Sequence, residues 1–176
     1  QTCALPISEK VGADAFSSVP PFAYGRSPEG MMTHYRTLAE GCSLPLYLYN
    51  IPSITSIHVT AALARPLLEL QSVRGLKFSD ADLFSEFQLC ELSENFDVFH
   101  GCDETLLYGM MVGAVGGIGL TYSFAPKLYV EMFRKFRAGD LHGAQQLQQR
   151  SSRIIDLFMK HCGPNMILLA KMLMGR

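Results

Sequence analysis

Short apolar runs alternate with helix-like stretches along this chain of 176 residues, and the alternation constrains its fold more than any other feature. Five runs have the length and the β-branched or aromatic content of strands. They are ADAFSSV (13–19), LPLYLYNI (44–51), VRGLKFS (73–79), FDVFHG (96–101) and GGIGLTY (116–122). The stretches between them have apolar residues at helical spacing, and several begin near a serine or aspartate that can serve as an N-cap. They are SPEGMMTHYRTLAEG, HVTAALARPLLEL, DADLFSEFQLCELSE and DETLLYGMMVGA. Strand and helix repeat roughly every 25 to 30 residues, which is typical of a parallel α/β sheet.

The alternation stops after Tyr122, where two longer amphipathic helices are predicted over residues 124–138 and 141–161. We expect one domain over residues 9–176, because no linker or change of composition divides it. Residues 1–8 are predicted to be a non-native scar, since QTCALPI can be back-translated into a common sequencing-adapter primer. A genuine but irregular N-terminus is the alternative.

Composition narrows the classes of partner. The chain is 48% hydrophobic with a formal net charge of -1, which fits a packed core and gives no electrostatic reason to bind nucleic acid or an anionic membrane. No apolar run reaches membrane-spanning length. The five cysteines are widely spaced and never form a CxxC pair, so neither a disulfide framework nor a zinc site is indicated. We therefore expect a cytoplasmic protein that acts on a small molecule.

The strand–helix rhythm fits either a doubly wound open sheet or a (β/α)8 barrel, and in both the reactive groups lie at the carboxyl ends of the strands. Mostly polar residues lie at the ends of the predicted strands. They are Tyr49 and Asn50, Lys77 and Ser79, then Gly101, Asp103 and Glu104, and finally Thr121 and Tyr122.

Lys77 is the one charged residue of the run GLKF, which lies between Arg74 and Ser79. Side chains alternate along a strand, so if Leu76 and Phe78 face the helices, Lys77 faces the interior. Burial lowers the pKa of an amine, which frees it to attack a carbonyl and form a Schiff base, and a phenol such as Tyr49 on the neighbouring strand could transfer protons. The alternatives are a surface lysine at a strand end and a tyrosine that only packs in the core.

Four motifs at successive strand ends, YNIP (49–52), GLKFSD (75–80), GCDE (101–104) and GGIGLTY (116–122), resemble the pyruvate-dependent class I aldolases that include N-acetylneuraminate lyase and dihydrodipicolinate synthase. The resemblance implies a partial (β/α)8 TIM barrel, about strands 4 to 8, with extra C-terminal helices. It also implies a homotetramer without metal or organic cofactor. It places the Schiff-base lysine on Lys77 and the proton-transfer tyrosine on Tyr49.

Within that family, GLKFSD followed by GCDE is more similar to the sialic acid lyases, which cleave N-acetylneuraminate to pyruvate and N-acetylmannosamine. Their substrate-binding residues correspond to Ser79, Gly101, Asp103 and Glu104, and carboxylates can accept hydrogen bonds from a polyol. The chain departs from the lyase pattern at two positions. Leu120 replaces a serine that contacts the sugar tail, and Ala23 replaces a tyrosine. A pyruvate-dependent aldolase or synthase for another aldehyde, similar to dihydrodipicolinate synthase, is therefore the alternative.

Other interpretations stay open for individual motifs. Asp103 could cap the helix that starts at Thr105, and Glu104 could be a solvated charge in its first turn. GAVGGIG could cradle a phosphate in a non-catalytic module. The five histidines have no ligand spacing, so surface or packing roles are expected. The 176 residues are expected to be part of a longer chain and inactive alone, because five strands cannot close a barrel.

Overall fold

In the computed structural model, which describes residues 4–21, 27–162 and 166–175, five parallel strands form one sheet. The strands are β1 (Phe16–Ser18), β2 (Leu46–Asn50), β3 (Val73–Phe78), β4 (Asp97–His100) and β5 (Gly116–Gly117). Each strand pairs with the next one in the sequence, in the order β1-β2-β3-β4-β5. This order and direction are those of consecutive βα units in a barrel wall, so the predicted parallel α/β architecture is confirmed.

Helices connect and follow the strands. They are α1 (Ala4–Lys10), α2 (Pro28–Glu40), α3 (Pro52–Thr55), α4 (Ala61–Ala64), α5 (Leu83–Cys90), α6 (Leu106–Met111), α7 (Pro126–Arg137), α8 (Leu141–Cys162) and α9 (Met166–Leu173). Three 3₁₀ turns lie over Arg65–Glu69, Asp103–Thr105 and Thr121–Ser123. Within the described ranges, no helix is both long enough and apolar enough to cross a membrane. The prediction of a scar over residues 1–8 stays a prediction.

Local signals explain where several helices begin and end. Ser27 caps α2 by accepting a hydrogen bond from Gly30 N, and Asp82 caps α5 through the amides of Phe84 and Ser85, as the sequence predicted. The helix predicted over HVTAALARPLLEL divides after Ala64 into α4 and a 3₁₀ turn. Pro66 explains the change, because a proline cannot donate the backbone hydrogen bond that an α-helix requires.

The two faces of the sheet differ in burial. The helix face is fully covered and consists of Leu46, Leu48, Leu76, Phe78 and Val98. The opposite face, here called the open face, is half-buried and consists of Tyr47, Tyr49, Lys77 and Phe99. The predicted alternation on β3 is thus confirmed, since Leu76 and Phe78 pack against helices while Lys77 lies on the other side.

The fifth strand is much shorter than predicted. Only Gly116 and Gly117 pair with β4, and the backbone then enters the turn that holds Thr121 and Tyr122 in 3₁₀ conformation. The physical reason is that Thr121 N donates to the Asp103 carboxylate at 2.7 Å rather than to a neighbouring strand. Residues 118–121 therefore form a turn, here called the β5 turn.

The helices after the sheet form a second apolar cluster. Tyr129 and Met132 of α7 and Ala144 of α8 pack against Leu106 and Met110 of α6. The predicted ranges 124–138 and 141–161 agree with the observed α7 and α8 to within two residues. This packing fixes α7 and α8 beside the end of the sheet where the β5 turn lies.

Candidate active site

Lys77 and Tyr49 meet on the open face. The register of the sheet places Tyr49 directly beside Lys77, and Lys77 Nζ donates a hydrogen bond to Tyr49 Oη at 3.0 Å. The same ammonium lies 4.4 Å from the centre of the Tyr49 ring, within the range of a cation–π contact. The structure therefore joins the two side chains that the sequence assigned to imine formation and proton transfer.

A concave cavity of about 600 Å³ lies along the open face beside this pair. The described residues that line it are mainly aromatic and aliphatic, and Lys77 is the only charged one among them: Ala15, Phe16, Ser17, Tyr47, Tyr49, Lys77, Phe99 and Ile118. Half-burial of Lys77 leaves its amine accessible from the cavity. A few polar groups converging in an apolar cavity are typical of a small-molecule site.

The backbone of Gly101 lies directly beside the Lys77 side chain. Its amide donates to Phe78 O at 2.6 Å, and its carbonyl accepts from Ser79 Oγ at 3.4 Å. A Cβ at position 101 would lie 2.1 Å from Ser79 Oγ and 3.1 Å from Lys77 Cε. Only glycine fits there, so Gly101 and Ser79 shape the surroundings of the lysine. Whether they also contact substrate stays a prediction.

Asp103 is buried and bonded to the β5 turn. Its Oδ2 accepts from Thr121 N at 2.7 Å and from Thr121 Oγ1 at 2.5 Å. Burial raises the pKa of this carboxyl, which the Thr121 hydrogen bonds partly oppose. The alternative that Asp103 caps the following helix is wrong, because neither the 3₁₀ turn at 103–105 nor α6 has a side-chain cap.

The Asp103 contact belongs to a closed ring of polar groups that sequence reasoning missed. Thr121 Oγ1 bonds to Tyr129 Oη of α7, and that hydroxyl lies 2.7 Å from Ser151 Oγ of α8. Ser151 Oγ and Gln148 Nε2 donate back to Asp103 O at 3.4 and 3.1 Å. No sequence signal identifies this ring, because its members come from four separate segments.

Glu104 lies apart from the lysine cavity. Its side chain is exposed and lines a groove between α6 and α8 together with Tyr108 and Gln149. Its backbone carbonyl accepts from Ser152 Oγ at 3.0 Å. The structure thus gives the two acidic residues of GCDE different surroundings, and the substrate role of each stays a prediction.

The glycines of GAVGGIG are explained by close packing. A Cβ on Gly117 would lie 2.5 Å from Tyr122 Oη, and one on Gly119 would lie 1.7 Å from Asp103 Oδ1. Gly116 and Gly117 also pair with β4 as a strand. A carboxylate beside Gly119 would repel a phosphate, so the alternative of a phosphate-binding loop loses its basis.

Other reactive groups near the strand ends do not compete with Lys77. Burial, together with nearby carboxylates including Glu104, raises the pKa of the Cys102 thiol to about 12, so this thiol stays protonated at neutral pH and is a poor nucleophile. In the part of the chain that the structure describes, no three His, Cys, Asp or Glu side chains form a possible metal site.

Comparison with known proteins agrees with this geometry. The sequence profile of the dihydrodipicolinate synthetase family matches residues 6–175. The chain belongs to that family. The curated N-acetylneuraminate lyase of Salmonella typhi is 34% identical over 154 residues, which cover 87% of this chain and 52% of the lyase. This chain thus spans about half the length of the curated relatives it matches.

Solved structures confirm the fold of this family member. The Ruminococcus gnavus sialic acid aldolase superimposes with a TM-score of 0.90 at 24% identity, over 97% of this chain and 57% of the aldolase. The 4-hydroxy-tetrahydrodipicolinate synthase of Methylacidiphilum fumariolicum superimposes with a TM-score of 0.89 at 27% identity, over 99% of this chain and 59% of the synthase. The five-stranded sheet therefore corresponds to part of a (β/α)8 barrel.

The two departures from the lyase pattern have different outcomes. Leu120 lies in the β5 turn between Gly119 and Thr121, with 37% of its surface exposed, and its correspondence to a serine of the lyases stays a prediction. Ala23 lies outside the described residues.

Proposed function

We propose that the protein is a Schiff-base lyase of the class I aldolase type, which cleaves a 2-keto acid sugar, N-acetylneuraminate, to pyruvate and N-acetylmannosamine. The observation that carries the proposal is the pairing of Lys77 Nζ with Tyr49 Oη at 3.0 Å on the open face. An amine beside a phenol provides a nucleophile and a proton carrier in one place. Membership of the family and the similarity to a curated lyase support it.

The proposed reaction begins when the neutral amine of Lys77 attacks the keto carbon of the open-chain sugar acid. Loss of water gives a protonated imine, and the bond between the α carbon and the hydroxyl-bearing β carbon then breaks, its electron pair forming an enamine with the imine. Tyr49 gives its phenol proton to the hydroxyl that leaves as water, and the resulting phenolate then takes the proton of the sugar hydroxyl that becomes the aldehyde. Protonation of the resulting enamine and hydrolysis then release pyruvate and regenerate Lys77.

The sugar tail is the less constrained part of the proposal. Ser79 lies beside Gly101 and Lys77 and is proposed to contact the pyruvyl end of the substrate. Gly101, Asp103 and Glu104 are proposed to hold the sugar tail. Asp103 uses Oδ2 for Thr121, so any substrate contact would fall to Oδ1. Glu104 is exposed, and its proposed contact with the tail requires it to be reached from the α6–α8 groove.

Leu120 favours a second candidate function, an aldolase or synthase of the same imine chemistry that takes a different aldehyde. An apolar side chain in the β5 turn offers no hydrogen bond to a polyol.

We also propose a homotetramer in the cytoplasm, acting without metal or organic cofactor. The tetramer and the lack of a metal or organic cofactor rest on the family resemblance alone, and the cytoplasmic location rests on the composition and the spacing of the cysteines.

Covalent trapping tests the proposal. The intact protein, meaning the longer chain to which these 176 residues are expected to belong, is incubated with pyruvate and borohydride. The modified peptide is identified by mass spectrometry. A stable adduct on Lys77 is expected, and an unmodified Lys77 would overturn the imine mechanism. Pyruvate release from N-acetylneuraminate, measured on the same sample, separates the two candidates. An adduct without release would favour the second candidate, an aldolase for another aldehyde.

A further inference from the structure

A buried chain of polar side chains lies on the helix face directly behind the candidate site. Glu86 of α5 and His100, the last residue of β4, are both fully buried. His100 Nδ1 lies 2.8 and 2.9 Å from the two carboxylate oxygens of Glu86. His100 Nε2 lies 2.9 Å from Thr105 Oγ1. None of these three side chains lines the Lys77 cavity.

A contribution to the stability of the fold does not by itself explain why Glu86, His100 and Thr105 are buried together. Apolar side chains of similar volume often stabilise a core as well as a buried pair of ionisable groups, because removing such groups from water is costly. The neighbouring helix is also adapted to the imidazole. A Cβ on Gly109 would lie 2.3 Å from the His100 ring, so α6 has an interior glycine, which weakens a helix.

The segment that follows β4 is held at one end by a backbone hydrogen bond and at the other by the bonded side chains of His100 and Thr105. His100 O accepts from Ile118 N at 2.9 Å at one end, and Thr105 Oγ1 donates to Cys102 O at 3.4 Å at the other. Between these ends lies Gly101, against Ser79 Oγ and Lys77 Cε. The same segment includes Asp103, whose carboxylate holds the β5 turn through Thr121. We call residues 101–104 the β4 turn.

We infer that Glu86, His100 and Thr105 are positioning residues, which fix the β4 turn against Lys77 so that the amine is held for attack on a keto acid. The inference rests on the proposed function. It differs from a packing role, because it predicts slower imine formation even where the fold is stable. Displacing a reacting group by about 1 Å can cost on the order of a hundredfold in rate.

Thr105→Val is the first test, because it removes the hydroxyl and keeps the branched shape. The rate of pyruvate adduct formation on Lys77 is measured in the intact protein, well below the melting temperature. We expect the rate to fall at least about tenfold. Thr105→Ser, which restores a hydroxyl, should recover most of it. Leu38→Val in the α2 core should lower the melting temperature without changing the rate, because Leu38 belongs neither to the β4 turn nor to the lining of the Lys77 cavity.

A double variant, Glu86→Leu with His100→Leu, is the second test, because removing one partner alone would leave the other buried without a partner. We expect it to melt near the unsubstituted protein and still to form the adduct slowly. A normal adduct rate in Thr105→Val or in a folded double variant would overturn the positioning role and leave the proposed function intact. If the unsubstituted protein forms no adduct on Lys77, the proposed function falls and this inference falls with it.

Discussion

Two polar groups of residues lie at the carboxyl edge of the sheet, and they use their hydrogen bonds differently. Lys77 and Tyr49 are half-buried on the open face and bond to each other. Asp103 and Thr121 are buried and belong to a ring that closes through Tyr129 and Ser151. A lysine ammonium has three donors, so after its bond to Tyr49 it can still engage a ligand, whereas the ring satisfies its own members.

The comparison teaches that the lysine pair and the buried ring serve different purposes, although both lie at strand ends. A buried polar group needs a partner within the protein, because leaving it unpaired costs free energy. The ring meets that need and thereby ties α7 and α8 to the β5 turn. The lysine pair lies beside a cavity instead, which is where a ligand can complete its bonding. Acidic residues in GCDE thus need not be substrate ligands for the proposed imine to form on Lys77.

The largest effect is expected for Lys77→Arg. The guanidinium keeps the positive charge but stays protonated and cannot form an imine, so both adduct formation and turnover should vanish. Peptide mass mapping after borohydride treatment and a pyruvate-release assay measure the two effects. Activity near that of the unsubstituted protein would mean that Lys77 forms no imine. The lysine pair would then have no catalytic role to distinguish it from the ring.

Tyr49→Phe should slow turnover while leaving some imine formation possible. The ring still fills its place beside Lys77, but the proton carrier is lost, and a positioned acid or base typically contributes on the order of 10² to 10⁴ in rate. Steady-state turnover and adduct formation are measured on the same preparation. An unchanged turnover rate would make Tyr49 a packing residue.

Gly101→Ala tests whether the backbone behind the lysine must stay close. A Cβ there would overlap Ser79 Oγ at 2.1 Å and Phe78 O at 2.8 Å, so the β4 turn must shift and adduct formation should slow by roughly tenfold to a hundredfold. Gly116→Ala is the matched control, because its Cβ would meet Phe99 at an ordinary 3.4 Å. Equal rates in the two variants would mean that the turn can move without affecting Lys77.

The sequence predicted the parts of the molecule that depend on local pattern. Alternation along β3 placed Lys77 on the open face, and the order of the strands placed Tyr49 beside it. The sequence did not predict hydrogen bonds between residues from distant segments. The bond between Asp103 and Thr121 shortens β5, and the ring depends on the rotation of α7 and α8, which periodicity does not fix. His100 was assigned a surface or packing role, although Glu86 and Thr105 both bond to it.

Glu104→Gln and Leu120→Ser test whether the residues outside the lysine pair contact the sugar tail of the substrate. If Glu104 binds a polyol, Glu104→Gln should reduce use of N-acetylneuraminate severalfold and spare pyruvate trapping, because the imine forms at the other end of the substrate. Leu120→Ser should improve use of the same substrate if the leucine limits it. Both are measured as kcat/KM for pyruvate release. Equal loss of trapping in Glu104→Gln would mean that this residue supports the fold.

The smallest expected effect concerns the ring and its dependence on pH. Burial raises the pKa of Asp103 in the folded protein above the ordinary value of 3.8 for an aspartate, so folding favours the protonated carboxyl. That contribution is fully present below the unfolded pKa and is lost as the pH rises through the folded pKa. Asp103→Asn has the same shape and does not titrate there. The free energy of unfolding of Asp103→Asn, relative to the unsubstituted protein, should therefore rise with pH above about 4 and then level off.

The change should be on the order of 1 kcal/mol, a common size for a single substitution, and urea unfolding at a series of pH values measures it. Asp156→Asn, an exposed position paired with Lys160, gives the effect of removing a negative charge elsewhere. A relative stability that falls with pH would mean that the hydrogen bonds from Thr121 outweigh burial. Asp103 would then be held as a charged carboxylate, closer to a ligand-binding group than to a structural one, and the contrast between the ring and the lysine pair would weaken.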